Sequence, residues 1–211
     1  MATLIDFIIH IDVHLVQIID TFGVLSYLII FAIIFAETGF VFTPFLPGDS
    51  LLFAVGALAA LGSFNLVVVL LVLVAAAFLG DTTNYWIGHF FGDRIIENRR
   101  IPIKREHIEE TQHFFQKHGG KTIVLARFVP IIRTFAPFVA GIGKMSYGRF
   151  ISFNAVGGVA WVALFTLAGF FFGNIAFVKH NFSLVILGII VVSVLPMVVA
   201  SLRERNKTTA A

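Results

Sequence analysis

The fifteen residues RFVPIIRTFAPFVAG, from Arg127 to Gly141, put two arginines and two prolines, Pro130 and Pro137, into an otherwise apolar stretch. Thirteen residues upstream form a counterpart, ETGFVFTPFLPGD from Glu37 to Asp49, where two acids flank Pro44, Pro47 and Gly48. An ionisable group in hydrocarbon costs roughly 2.5–3.5 kcal/mol on insertion scales. A proline there frees backbone groups that only protein or a water-filled cavity can satisfy. One acidic and one basic broken helix are what a transport site requires, and a passive anchor has no use for them.

The surrounding chain supports a membrane setting. Of 211 residues, 58% are hydrophobic and 13% charged, and the mean hydropathy is +0.96. A soluble domain of that composition would expose too much apolar surface. There is no cysteine, which excludes disulfides, thiolate metal sites and cysteine nucleophiles. The first 22 residues lack Lys and Arg, so a cleaved secretory signal is not expected. The pI near 9.5 is read as membrane topology and contact with anionic lipid, because the basic residues flank hydrophobic segments; nucleic acid is not expected.

Residues 1–22 read as an amphipathic helix, with Asp6, His10, His14, Gln17 and Thr21 on one face, lying in the interface or packed on the bundle. Residues 23–201 form the membrane domain and 202–211 a basic tail. Within the domain, 23–43 is apolar up to Pro44. A turn at Pro47–Ser50 starts a new helix, with Asp49 or Ser50 suited to its N-cap. Its apolar run, Leu51–Leu61, covers only about 16 Å, about half the hydrocarbon thickness, so 44–61 is expected to be re-entrant. Residues 66–91 span, and 92–121 is a polar loop with an amphipathic helix from Lys104 to His118 closed by Gly119-Gly120. Residues 122–143 are the second broken segment, and 150–173 and 182–201 span.

Charge counting orients the chain. With 92–121 cytoplasmic and both broken segments re-entrant, twelve lysines and arginines lie inside and only Lys179 outside, a strong positive-inside signal. Both termini are then cytoplasmic. The expected fold is all-α and integral to the membrane, with transmembrane helices and two oppositely oriented re-entrant helices. In outline that is the inverted repeat of many secondary transporters.

Each candidate residue has a plainer alternative. Glu37 and Asp49 could carry protons, or serve as ion-pair partners and a helix cap. Arg127 and Arg133 could grip a phosphate with their planar forks, or pair with the two acids in a structural core. Asp81 and Tyr85 share a helical face, and interface anchoring is adequate for Tyr85 and Trp86. Asn154 and Trp161 also share a face, where a helix–helix hydrogen bond is the preferred reading of Asn154. His107, His113 and His118 with Glu106, Glu109 and Glu110 match no ligand spacing and read as a solvated helix, so no metal is expected. No intramembrane histidine accompanies the arginines, which argues against a phosphohistidine phosphatase.

Taken in order, the Glu37–Asp49 stretch, GDTTNYWIG from Gly80 to Gly88, the Arg127–Gly141 stretch and FISFNAVGGVAW from Phe150 to Trp161 resemble the DedA family of bacterial inner-membrane proteins, within the wider superfamily of VTT-type scramblases. The resemblance covers roughly residues 23–175. It implies an inner-membrane protein that is not an enzyme, needs no cofactor, and recycles undecaprenyl phosphate from the outer to the inner leaflet at the expense of the proton motive force. It carries functional acids and arginines to Glu37, Asp49, Arg127 and Arg133. Pro44, Pro47, Gly48, Asp81, Tyr85, Pro130, Pro137, Gly141 and Asn154 are expected to support them. The partners implied are lipid, undecaprenyl phosphate or another phospholipid, and protons; a homo-oligomer is left open. A general phospholipid scramblase, a proton-coupled exporter of small cations and a membrane assembly factor are the competing readings.

Overall fold

In the computed structural model, residues 23–40, 48–97, 105–175 and 178 are described. The segments 1–22, 182–201 and 202–211 of the sequence reading lie outside them, as do Pro44 and Pro47.

The described chain is helical. Helix α1 is Val24–Gly39 and α2 is Gly48–Ala60. Helix α3 is Leu66–Glu97, 32 residues, and α4 is Arg105–His118. A short 3-10 turn, Gly119–Lys121, leads into α5, Thr122–Ala126. Helix α6 is Pro130–Ile142 and α7 is Tyr147–Gly173. Two stretches are long and apolar enough to cross a bilayer, Leu66–Gly92 and Tyr147–Gly173, with mean hydropathies of 2.4 and 2.0. Helices α2 and α6 have 13 residues each. At about 20 Å neither crosses the roughly 30 Å hydrocarbon core alone.

Local chemistry sets the boundaries. Asn65 Oδ1 accepts from the amides of Val67 and Val68 at 3.0 and 3.2 Å, capping α3. Gly62, at φ 88°, makes the turn before it. Gly119, at φ 58°, ends α4 in the left-handed region, as expected for a helix C′ glycine. Pro130 stands at the start of α6, after Val129 in extended backbone at φ −119° and ψ 106°, because a residue before proline is pushed out of the helical region. Two differences from the sequence reading concern length. Helix α3 continues to Glu97, well into the expected loop. Helix α2 begins at Gly48, which places Asp49 inside its first turn instead of at the cap.

The elements divide into two units. One takes α1 up to Tyr27, α2, α3 up to Val69 and α7 from Phe165. Here α2 and α7 meet backbone to backbone: a Cβ on Gly56 would strike the Thr166 carbonyl, and one on Gly169 the Phe53 carbonyl. Small residues allow that approach, which carries van der Waals packing where lipid offers no hydrophobic drive.

The other unit takes the rest of α1, α3 from Leu70, α4 to α6, and α7 up to Leu164. Its core joins Tyr85, Ile123, Ala126, Ile132, Ala136, Ala140 and Phe150. Ile132, Ala136 and Ala140, spaced four residues apart, form the stripe of α6 that faces it. A second cluster joins Ile108 of α4 to Phe135, Phe138 and Val139, so the apolar face of the amphipathic α4 lies on α6. Tyr85 is 2% exposed and donates its hydroxyl to the Met145 carbonyl. It is a core pin between α3 and the α6–α7 turn, which corrects its reading as an interface anchor.

Candidate functional site: two buried ion pairs

Five helices of this second unit converge on the arginines. Arg127 follows α5, at the break before Pro130, and is 3% exposed. Its guanidinium donates to the Asp81 carboxylate on α3. It also donates to Asn154 Oδ1 on α7 at 2.5 Å. Asn154, fully buried, donates in turn to the Phe78 carbonyl at 3.1 Å, so one amide ties α7 to α3 and orients the arginine. Gly157 makes the space: a Cβ there would lie 3.1 Å from Arg127 Nε. That Nε is buried with no hydrogen-bond partner among the described residues.

Arg133 stands in the first turn of α6 and pairs with Glu37 near the end of α1. Its side chain retains 12% exposure, against 6% for Glu37. Trp161 of α7, fully buried, lies beneath both cations, with ring-centroid distances of 4.5 Å to the Arg133 guanidinium carbon and 5.7 Å to that of Arg127. An indole face attracts a cation, more so when desolvated. Pro137, one turn after Arg133 inside α6, has no N–H to offer the Arg133 carbonyl.

Asn84 fastens the frame. Its amide donates to the Thr38 carbonyl at 3.3 Å and the Thr134 carbonyl at 2.9 Å. The first lies in the last turn of α1, where helix carbonyls lack partners. The second is next to Arg133. Asn84 therefore fixes both backbones that carry the Arg133–Glu37 pair. Close by, α3 and α6 cross in contact: a Cβ on Gly88 would strike the Phe138 carbonyl, and one on Gly141 the Tyr85 carbonyl.

The expected residues thus separate. Arg127, Arg133, Glu37, Asp81, Tyr85, Gly141 and Asn154 belong to this unit, with Pro130 and Pro137 shaping the helix that presents Arg133. Asp49, half-buried in the first turn of α2, and Gly48 belong to the other. The acid on Arg127 is Asp81, where the sequence reading assigned only Glu37 and Asp49 as partners. Asn84 and Thr134 were missed. Asn84 had a visible signal, three residues from Asp81 and so on the same face of an apolar helix; the backbone role of Thr134 had none.

The chain is an all-helical membrane protein whose site is made of paired charges. It belongs to the DedA family: residues 46–171 match the VTT domain. It is 52% identical to Protein DedA of Escherichia coli over 211 residues, covering 99% of this chain and 96% of that one. An uncharacterized membrane protein of Mycobacterium tuberculosis is 47% identical over 178 residues, with 82% of this chain and 78% of the relative covered. Inner membrane protein YqjA of Escherichia coli is 34% identical over 157 residues, covering 74% and 71%. No solved structure matches.

Proposed function

We propose that the protein is a lipid-phosphate translocase of the inner membrane, returning undecaprenyl phosphate to the inner leaflet with protons as the coupling ion. The observation that carries this reading is the Arg133–Glu37 pair. It lies between apolar helices, where an unpaired charge is costly, and its cation keeps partial exposure. A phosphate oxygen can replace the Glu37 carboxylate on the Arg133 fork without leaving the guanidinium unpaired. Glu37, once released, is a buried carboxylate that gains from taking a proton. Phosphate binding and proton uptake would thereby be coupled by one exchange of partners.

Arg127 takes a different part. It is held by Asp81 and Asn154, and its buried Nε has no hydrogen-bond partner among the described residues. It holds positive charge beside Arg133, and the tail stays in lipid. In this reading 44–61 and 122–143 are the two opposed re-entrant segments of an inverted repeat, and Asp49 is the second proton-carrying acid.

Thermal unfolding of the purified protein with added lipid tests the headgroup clamp. Undecaprenyl phosphate stabilises the wild type, because it binds the folded state; the unphosphorylated alcohol does not, and Arg133→Ala removes the effect. Equal stabilisation by alcohol and phosphate would refute the clamp. A general phospholipid scramblase would instead respond equally to other phosphate headgroups.

A further inference from the structure

A second candidate ligand site lies away from the ion pairs, where α4, the 3-10 turn and the α6–α7 turn enclose a groove of about 500 Å³. Its floor is apolar, with Phe115 from α4 and Val139, Ala140 and Ile142 from α6. Its rim carries Gln112 and Gln116 of α4, and Arg149. No acid is among its lining residues; Glu109 and Glu110 are exposed on α4, Glu109 one turn before Gln112 on the same helical face.

The position of Arg149 is informative. It sits in the first turn of α7, at the positive end of the helix dipole, where a cation is disfavoured and an anion welcome. Gly120 lets the side chain lie across the 3-10 turn: a Cβ there would be 3.0 Å from Arg149 Nε and 2.6 Å from Phe153 Cε2. An exposed guanidinium therefore lines a mainly apolar groove together with two exposed amides of α4, an amphipathic helix whose last turn is basic, Lys117 and His118. Helices of that kind lie in the headgroup layer.

We propose that this groove seats one anionic phospholipid of the adjoining leaflet. The acyl chain runs along Phe115, Val139 and Ile142. The phosphate meets Arg149 and the α7 N-terminus, and a hydroxylated headgroup such as glycerol meets Gln112 and Gln116. Charge complementarity selects the anionic lipid over a zwitterionic one, and the paired amides select a hydroxylated headgroup over a bare phosphate. The lipid would brace α4 against α6, the helix that carries Arg133.

The test is native mass spectrometry of the protein from micelles, titrated with phosphatidylglycerol or phosphatidylethanolamine. One phosphatidylglycerol is expected to bind saturably, with Arg149→Gln weakening it about tenfold, the loss expected for one charge-assisted bond. Lys121→Gln, an exposed cation outside the groove lining, leaves it unchanged, and so does Arg133→Ala, which separates this site from the translocation clamp. Equal weakening by Arg149→Gln and Lys121→Gln would mean diffuse attraction and overturn the proposal. So would equal binding of phosphatidylethanolamine, or displacement of phosphatidylglycerol by an equimolar lipid phosphate lacking a hydroxylated headgroup.

Discussion

Replacing Asp81 by Asn removes the acid that holds Arg127 and leaves the cation where it is. The side chains of Arg127 and Asp81 are only 3% and 7% exposed, so water does little to compensate. At contact near 3 Å and an effective dielectric of about 20, the lost attraction is about 5 kcal/mol. What remains is the Asn154 bond and the Trp161 ring at 5.7 Å, the latter contributing about 2 kcal/mol when desolvated. The net cost of stranding one partner of a buried pair is about 3–5 kcal/mol. The complementary change, Arg127→Gln, strands Asp81 and costs a similar amount. With both changed, two neutral amides can bond to each other and to Asn154, so the double variant should be less destabilised than the sum of the singles by about 2 kcal/mol or more. The assay is reversible unfolding in mixed micelles across the four-member cycle. Additive single effects would refute the pair as the fixing element of the α3–α5–α7 junction.

Asn84→Ala should cost about 1–2 kcal/mol in the same assay, since it strips donors from the Thr38 and Thr134 carbonyls, with interhelical bonds in membranes at the modest end of the scale. Gly88→Ala should destabilise by about 1–3 kcal/mol, because the added methyl meets the Phe138 carbonyl and helix backbones give way poorly; a neutral result would show that α3 and α6 are not in contact. Trp161→Leu should weaken retention of Arg133 and lower lipid-phosphate affinity several-fold while preserving expression, as read by the thermal shift with undecaprenyl phosphate. Cysteines at Ser63 and Glu106 should label from opposite sides of the membrane in intact cells, Ser63 from the periplasm; periplasmic labelling at Glu106 would overturn the charge-based orientation.

Much of the fold was legible because the signals were covalent or periodic. The Pro130 break, the Gly62 turn and the Gly119 stop are properties of single residues, and the amphipathic α4 declares itself through Ile108, Thr111, Phe115 and His118 at helical spacing. Pairing was harder to read. Four acids and arginines in apolar sequence demand partners, yet chain separation does not say which acid meets which arginine. Asp81 looked like an ordinary residue of a spanning helix, and the packing of α3 against α7, tied by Asn154 to the Phe78 carbonyl, is what sets it beside Arg127. Tyr85 was misread for the same reason: a tyrosine beside a tryptophan near a helix end suits an interface, and burial by Phe150 and Met145 is a tertiary fact. Backbone acceptors such as the Thr134 carbonyl carry no mark in the sequence at all.

The central claim is that partner exchange at Arg133 moves a lipid phosphate in step with protons. Leaflet-resolved transport of undecaprenyl phosphate in proteoliposomes, with and without an imposed pH gradient, tests it most directly. The account predicts gradient-stimulated movement in the wild type, none in Arg133→Ala, and movement without stimulation in Glu37→Gln. Gradient-stimulated movement in Glu37→Gln equal to wild type, or wild-type transport indifferent to the gradient, would contradict it.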